Sequence, residues 1–271
     1  MKIKAVVCIV AHADDLEFMA AGTVIRFVEN GHQVYEVIAT DNSKGSYELP
    51  AEKLARVSEE EAKNAAQVMG LDDVFFLRYK DGELSDVPLN ELREKFMRIM
   101  RQVQADVLMT WDPFTPYETH PDHRMVAMAA TEAADFAPLP LYHPEHIKQG
   151  LEPTYVAERY FFAKHPVDVN KVVDISDQID RKIHALCMHD CQMKLTFDNI
   201  KLEMEALGTS IPIISGLSRD DYRGLIDFAI RQRCAQVGER IGAGYAEEFR
   251  YQAFDMIRNF ADDEVKRFAD F

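Results

Sequence analysis

Residues 5–10 read Ala5-Val6-Val7-Cys8-Ile9-Val10 and lead directly into Ala11-His12-Ala13-Asp14-Asp15-Leu16-Glu17. A short run of β-branched and other apolar residues is typical of a strand that is buried on both faces, as in a parallel sheet. The histidine and carboxylates that follow are too polar to continue such a strand. The stretch therefore predicts a parallel strand that ends where a chemically active segment begins.

The chain continues by alternating helical and strand patterns. Helical spacing of apolar residues covers 20–30, 52–69, 89–104, 124–136 and 176–192, and short β-rich runs cover 34–39, 74–77, 106–110, 159–162 and 172–175. Strands that alternate with helices in this way imply right-handed crossovers. The predicted fold class is therefore α/β, with a Rossmann-like, mostly parallel sheet that carries helices on both faces.

We predict one domain with a C-terminal appendage. Residues 1–192 are assigned to the α/β core, and 193–271 to a mostly helical extension that packs on the same domain. The proline-rich segment 137–153 is expected to be a long loop near the functional site. The sequence shows no internal repeat, no low-complexity segment and no linker.

Composition excludes several classes of protein. The formal net charge of -15 argues against a sequence-independent nucleic-acid binder, which would need a basic face. The four cysteines have no disulfide-rich spacing, which suits a reducing compartment. The N-terminal apolar run is too short for a signal peptide, and no run approaches the roughly 20 residues of a spanning helix. We therefore expect a soluble, cytoplasmic protein without a membrane partner.

A second motif, Thr119-His120-Pro121-Asp122-His123-Arg124, follows the predicted strand 106–110. Sites in parallel sheets form beyond the carboxyl ends of the strands, so both motifs are expected at the same edge. His12 and Asp15 can face one point, and His123 would complete a set of two imidazoles and one carboxylate. Three protein ligands plus an open position is the catalytic arrangement of Zn²⁺, although the same ligands suit Fe²⁺ or another divalent metal.

Three further side chains in these motifs are suited to proton chemistry. Asp14 lies beside the predicted ligands and would take a proton from metal-activated water. As an imidazolium, His120 would stabilise an oxyanion and protonate a leaving amine, while Asp122 would hold His120 in position and keep it charged. The two motifs together predict a mononuclear metal hydrolase with Asp14, His120 and Asp122 as its catalytic residues.

Each motif alone also has an ordinary explanation. A His-Asp pair after a strand is common in turns and helix caps, and loops collect histidines and carboxylates. A metal-free nucleotide- or sugar-binding protein on the same sheet is therefore the rival from another class. That rival predicts sub-stoichiometric metal in the purified protein.

Both motifs, in this order and context, resemble the LmbE/PIG-L family of zinc-dependent N-acetylglucosaminyl deacetylases. Further similar segments are Ala21-Gly22-Thr23, Arg78-Tyr79-Lys80-Asp81-Gly82-Glu83-Leu84, Thr110-Trp111-Asp112-Pro113, Asp174-Ile175-Ser176, His189-Asp190-Cys191-Gln192 and Tyr245-Ala246-Glu247-Glu248-Phe249. The resemblance implies zinc held by His12, Asp15 and His123, with Asp14 as general base and His120 as the charged partner of the oxyanion. It also implies a small N-acetylated substrate, an amino sugar or glucosaminyl conjugate. An amidase acting on a non-sugar or thiol-conjugate amide is the alternative within the family.

The departures from the family pattern concern the substrate more than the metal. Ser58 stands where many members have an arginine before a Glu-Glu-Ala helix, so Arg56 would have to supply that contact. Glu118 occupies a position where some members have a tyrosine, and here the tyrosine is Tyr117. The predicted substrate contacts are Arg56, Arg78, Asp112 and Tyr117. Relatives often assemble as trimers or hexamers, so the resemblance also implies a homo-oligomer.

Overall fold

The computed structural model describes residues 2–253, which form seven strands and ten α-helices. The strands are β1 Ala5–Val10, β2 Gln33–Thr40, β3 Asp73–Tyr79, β4 Val107–Trp111, β5 Glu158–Phe162, β6 Lys171–Asp174 and β7 Ala246–Ala253. The helices are α1 Asp15–Met19, α2 Ala21–Glu29, α3 Ala51–Met69, α4 Leu89–Val103, α5 Pro121–Phe136, α6 Pro144–Lys148, α7 Ile179–Leu186, α8 Asp190–Ala206, α9 Pro212–Ser215 and α10 Tyr222–Gly238. Within residues 2–253, none of these helices has the length and apolar character needed to cross a membrane.

The strands form one sheet in the order β3-β2-β1-β4-β5-β7-β6. β1 pairs in parallel with β2 and β4, β2 pairs in parallel with β3, and β4 with β5. β7 runs antiparallel to both of its neighbours, β5 and β6. The predicted Rossmann-like, mostly parallel sheet is confirmed.

Helices cover both faces of the sheet because alternate residues of β1 point to opposite sides. Val6, Cys8 and Val10 pack in one apolar cluster with residues of α1, α2 and α3. Val7 and Ile9 pack in a second cluster with residues of α4 and α5. All five side chains are fully buried, which explains why the run is apolar at every position.

β7 ties the C-terminal part of the described chain into the core. The Glu247 carboxylate accepts hydrogen bonds from the backbone N–H groups of Gly22 at 2.9 Å and Thr23 at 2.8 Å, at the start of α2. It also accepts one from Lys182 Nζ at 2.8 Å. Unpaired N–H groups at a helix N-terminus stabilise an anion. A Cβ at Gly22 would lie 2.7 Å from the side chain of Ile175, so this close packing requires glycine.

The segment 193–253 therefore contributes a strand to the sheet as well as helical structure. The rest of the predicted helical extension, 254–271, lies outside the described residues. The division of the chain at residue 192 stays a prediction.

The structure corrects the expected position of the segment 137–153. This segment connects the C-terminus of α5 to the start of β5, and it contains the short helix α6. The buried Arg101 of α4 holds it by donating hydrogen bonds to the carbonyl groups of Ala137, Leu139 and Tyr142. The segment therefore lies at the amino-terminal edge of the parallel strands, opposite the edge where the motifs follow the strands.

Two predicted helices have different bounds in the structure. α5 begins at Pro121, three residues earlier than predicted, because proline is favourable in a first turn and His120 caps the helix. The predicted helix 176–192 divides into α7 and the start of α8, and the hydroxyl of Ser176, before α7, donates a hydrogen bond to Asp174.

Candidate metal centre

Adjacent strands bring the two sequence motifs together. β1 and β4 are parallel neighbours, so the segment after Val10 and the segment after Trp111 leave the same edge of the sheet. The first segment turns immediately into α1, which begins at Asp15. The second enters α5, where Asp122 and His123 occupy the first turn. The topology thus places both motifs around one point.

His12, Asp15 and His123 bring potential ligand atoms together around His123 Nε2, and the shortest distance from His12 Nδ1 to the Asp15 carboxylate is 3.8 Å. His12 Nδ1 lies 3.1 Å from His123 Nε2, and Asp15 Oδ1 lies 3.3 Å from the same nitrogen. Tetrahedral zinc with bonds of about 2.0–2.1 Å places its ligand atoms roughly 3.3–3.4 Å apart. The donor set and its spacing therefore fit a divalent metal.

The Asp15 carboxylate is held by its second oxygen. Asp15 Oδ2 accepts hydrogen bonds from the backbone N–H groups of Ala11 and His12, both at 3.0 Å, and from Trp111 Nε1 at 2.9 Å. Burial by itself would raise the pKa of Asp15, but the neighbouring His123 and His12 hold it well below its usual value. The other oxygen, Oδ1, is directed towards His123 and is left for a cation.

In each predicted ligand histidine, the ring nitrogen that points away from the other predicted ligands faces a carboxylate. His12 Nε2 lies 3.3 Å from Asp81 Oδ1 and 3.4 Å from Asp122 Oδ2. His123 Nδ1 lies 3.3 Å from Glu118 Oε2. Carboxylates in this position favour a proton on the outer nitrogen and leave the inner one free to bind metal. His12 would therefore bind through Nδ1 and His123 through Nε2.

Asp14 precedes α1 and lines the cavity in front of the predicted ligands. Burial, reinforced by the negative charge of Asp15, raises the pKa of Asp14 above its usual value. A carboxylate with a raised pKa is a better proton acceptor near neutral pH. Position and charge both suit the predicted general base.

His120 lies at the N-terminus of α5, with its ring centroid 4.5 Å from that of His123 and 4.7 Å from that of His12. Its Nδ1 accepts a hydrogen bond from the backbone N–H of Asp122 at 3.2 Å, so a neutral ring carries its proton on Nε2. Burial and the positive charges of His12 and His123 lower the pKa of His120 to about 4. The imidazolium form of His120 stays a prediction.

The Asp122 side chain has different partners from the predicted one. Its carboxylate accepts hydrogen bonds from the backbone N–H groups of Gly82 at 2.7 Å and Leu84 at 3.1 Å, and it faces His12. Its contact with His120 runs through the Asp122 backbone, because both residues belong to the first turn of α5. Asp122 therefore connects the turn after β3 to the predicted ligand His12.

A cavity of about 590 Å³ opens in front of these groups. Phe18, Met19 and Leu195 supply an apolar wall, and Lys44 and Lys164 are its cationic lining residues. The remaining lining residues are His12, Asp14, Asp15, Asn42, Gly45, Asp81, Gly82, Trp111, His120, His123 and Gln192. A sugar-sized molecule can therefore reach the predicted ligands and Asp14 together.

Comparison with known proteins agrees with this geometry. The family model described as PIG-L, GlcNAc-PI de-N-acetylase, matches residues 7–134. The diacetylchitobiose deacetylase of Thermococcus kodakarensis is 32% identical over 192 residues, which cover 70% of each chain. The chain belongs to the PIG-L family.

Other PIG-L relatives extend the similarity. A probable N-acetyl-alpha-D-glucosaminyl L-malate deacetylase 2 of Bacillus anthracis is 23% identical over 208 residues, covering 74% of this chain and 86% of the relative. The structure of N,N'-diacetylchitobiose deacetylase from Pyrococcus horikoshii, complexed with its inhibitor MPG, superposes with a TM-score of 0.75 at 27% identity. That match covers 95% of this chain and 89% of the other. The similarity thus includes the C-terminal part of the chain.

The four predicted substrate contacts lie outside the residues that line the large cavity of this PIG-L member. Arg56 and Arg78 line a separate cavity of about 170 Å³, where the Arg78 guanidinium bonds to Glu59. The Asp112 carboxylate is bound by Arg250 at 2.7 and 2.9 Å, and the Tyr117 side chain is largely exposed. Their contact with substrate stays a prediction.

Sequence reasoning missed several residues of the site. The sequence analysis named Asp81 only within a segment that resembles the family and Glu118 only as a departure from its pattern, yet both face predicted ligand histidines. Lys44 and Lys164 reach the cavity from loops without a motif. Their positions after β3 and β4 were the feature of the sequence that could have placed Asp81 and Glu118 near the predicted ligands, because both strands end at the edge of the sheet where the motifs lie.

Proposed function

We propose that this protein is a metal-dependent N-deacetylase that hydrolyses the N-acetyl group of an N-acetylglucosamine-type sugar or conjugate to acetate and a free amine. One observation carries the proposal: His12, Asp15 and His123 converge at the spacing of metal ligands, next to Asp14, on the floor of a sugar-sized cavity. The deacetylase names of the relatives support it. Zn²⁺ is the proposed metal, and Fe²⁺ is the alternative that the same ligands accept.

When bound by His12, Asp15 and His123, the metal would supply Lewis-acid chemistry, activating water and polarising the acetyl carbonyl group. Asp14 takes the proton that the attacking water loses. The C–N bond of the resulting tetrahedral species then breaks, and Asp14 returns the proton to the departing nitrogen. Acetate keeps the water oxygen, and the sugar leaves as the amine, so one carboxylate serves as base and then as acid.

His120 is placed to stabilise the oxyanion. Because its Nδ1 accepts the backbone N–H of Asp122, its Nε2–H is free to donate into the cavity. A fixed donor aimed at developing negative charge stabilises the transition state without reorganisation. His120 therefore acts through hydrogen bonding, and the proposal does not require it to be charged.

The test is a panel of acetylated compounds with separate detection of acetate and of free amine. N-acetylglucosamine and N,N'-diacetylchitobiose represent sugars, and simple N-acetyl amines represent the non-sugar alternative. Asp14→Asn should retain stoichiometric metal yet lose about 10²–10⁴-fold in kcat. Wild-type protein that carries metal but hydrolyses only non-sugar amides would support the alternative amidase. Wild-type protein that purifies with sub-stoichiometric metal and gains no activity from added metal would support the binding-protein rival.

Homo-oligomeric assembly and a cytoplasmic location stay predictions made from the sequence.

A further inference from the structure

Glu118 is a buried carboxylate that makes contacts on both of its oxygens. Its side chain is 3% exposed, and it lies in the loop between β4 and α5. Oε2 lies 3.3 Å from His123 Nδ1. Oε1 accepts the backbone N–H of His120 at 2.8 Å and lies 3.5 Å from Lys164 Nζ. The residue therefore contacts a predicted metal ligand and the proposed oxyanion donor at the same time.

The contact with His123 selects one tautomer of the ring. The negative charge of the carboxylate, 3.3 Å from Nδ1, favours the form of His123 that carries its proton on that nitrogen. The lone pair is then on Nε2, the nitrogen that lies 3.1 Å from His12 Nδ1 and 3.3 Å from Asp15 Oδ1. Trp111 stacks on the His123 ring, with the centroids 3.9 Å apart, so the ring has little freedom to turn.

The loop around Glu118 is itself held in place. Arg124 of α5 donates hydrogen bonds to the backbone carbonyls of Glu118 at 3.2 Å and Thr119 at 2.7 Å. The Lys164 ammonium balances part of the charge of the buried carboxylate. These contacts fix the carboxylate before any ligand binds.

We propose that Glu118 is a positioning residue that holds His123 with Nε2 directed at the metal and, through its other oxygen, fixes the backbone of His120. The inference rests on the proposed metal site and goes beyond it, because it makes one residue, Glu118, responsible for strengthening metal binding and for positioning His120.

The isosteric variant Glu118→Gln separates these two effects. The amide oxygen is expected on the side of the His120 N–H and Lys164, both of which donate hydrogen bonds. The amide NH₂ group then faces His123 Nδ1 and favours the opposite tautomer, with the proton on Nε2. Zn²⁺ affinity, measured by competition with a chromophoric chelator, should fall about 10–100-fold. At saturating Zn²⁺, kcat should stay within about threefold of wild type because the His120 contact is kept.

Glu118→Ala removes both contacts, so it should lose the same metal affinity and also lower kcat at saturating Zn²⁺. The matched control is Glu94→Gln, because the Glu94 carboxylate pairs with His146 Nε2 at 2.8 Å and does not line the cavity. This control should bind Zn²⁺ like wild type. Thermal unfolding of the metal-free proteins identifies any variant that fails to fold.

Folded Glu118→Gln with wild-type Zn²⁺ affinity would overturn the inference. So would equal losses of affinity and kcat in both Glu118 variants, since that result describes general damage to the site. Wild-type protein that binds no Zn²⁺ would overturn the inference together with the metal site. If wild type binds Zn²⁺ but hydrolyses no acetamide, the deacetylase proposal fails, while the affinities of Glu118→Gln and Glu94→Gln still decide the role of Glu118.

Discussion

Replacing Glu247 by glutamine tests how strongly β7 holds the core together. The Glu247 carboxylate is surrounded by hydrogen-bond donors: Gly22 N–H and Lys182 Nζ on Oε1, and the N–H and hydroxyl of Thr23 on Oε2. A glutamine would place its NH₂ group against donors whichever way it turned. Lys182, whose side chain is 1% exposed, would also lose its charged partner.

The expected loss in the free energy of unfolding follows from the burial of the Glu247–Lys182 ion pair. Removing one member of a buried ion pair costs about 3–5 kcal/mol, because the remaining charge stays desolvated without compensation. For a protein of this size, roughly 2–4 °C of Tm corresponds to each kcal/mol, so Glu247→Gln should lower Tm by about 6–20 °C. Differential scanning calorimetry or circular dichroism at neutral pH measures this change.

The neighbouring residue provides the control. Glu248 pairs with Arg240, whose side chain is 47% exposed, so Glu248→Gln should cost less than about 1 kcal/mol. If the two variants unfolded at the same temperature, the Glu247 contacts would contribute nothing measurable, and the role assigned to β7 would be refuted.

Three further outcomes are expected. Burial would raise the pKa of Glu94, but hydrogen bonds from His146, Arg98 and Lys95 outweigh it and lower the pKa to about 2. The ionised carboxylate therefore stabilises the fold above its ordinary pKa of 4.5, and this contribution is lost as the pH falls towards 2. Glu94→Gln should reduce the fall in Tm between pH 6 and pH 3. If Tm fell as steeply in the variant as in wild type, the lowered pKa of Glu94 would be contradicted. Gly22→Ala should destabilise the protein by about 1–3 kcal/mol in urea unfolding, because its Cβ would overlap Ile175; full stability would show that the contact relaxes easily. Treatment with a chelator should reduce deacetylation to background and Zn²⁺ should restore it, whereas activity that persists in metal-free protein would exclude the proposed chemistry.

The sequence was sufficient for the sheet and for the meeting of the two motifs. The apolar run of β1 is continuous because a central parallel strand is buried on both faces, and this pattern is local. Parallel strands joined by crossover helices end at one edge, so His12, Asp15 and His123 had to approach one another. Both arguments need only neighbouring residues and the general rules of α/β folds.

Other parts of the site and fold depended on contacts between distant segments. Asp81 and Glu118 face the outer nitrogens of His12 and His123 from loops after β3 and β4, and no local pattern reports such a pairing. The segment 137–153 has the composition of an active-site loop, yet its connection from α5 to β5 carries it to the far edge of the sheet.

The C-terminal part of the described chain also adopts a structure that its local sequence pattern did not predict. The sequence predicted helical structure for residues 246–253, but these residues form an antiparallel strand beside β5. The backbone groups along the edge of β5 pair with this strand, and the N-terminus of α2 binds its Glu247 side chain. Local periodicity thus determined which residues are buried and which segments carry reactive groups. The tertiary structure decided which partner each polar group meets, since hydrogen bonds and ion pairs depend on positions that only the packed chain defines.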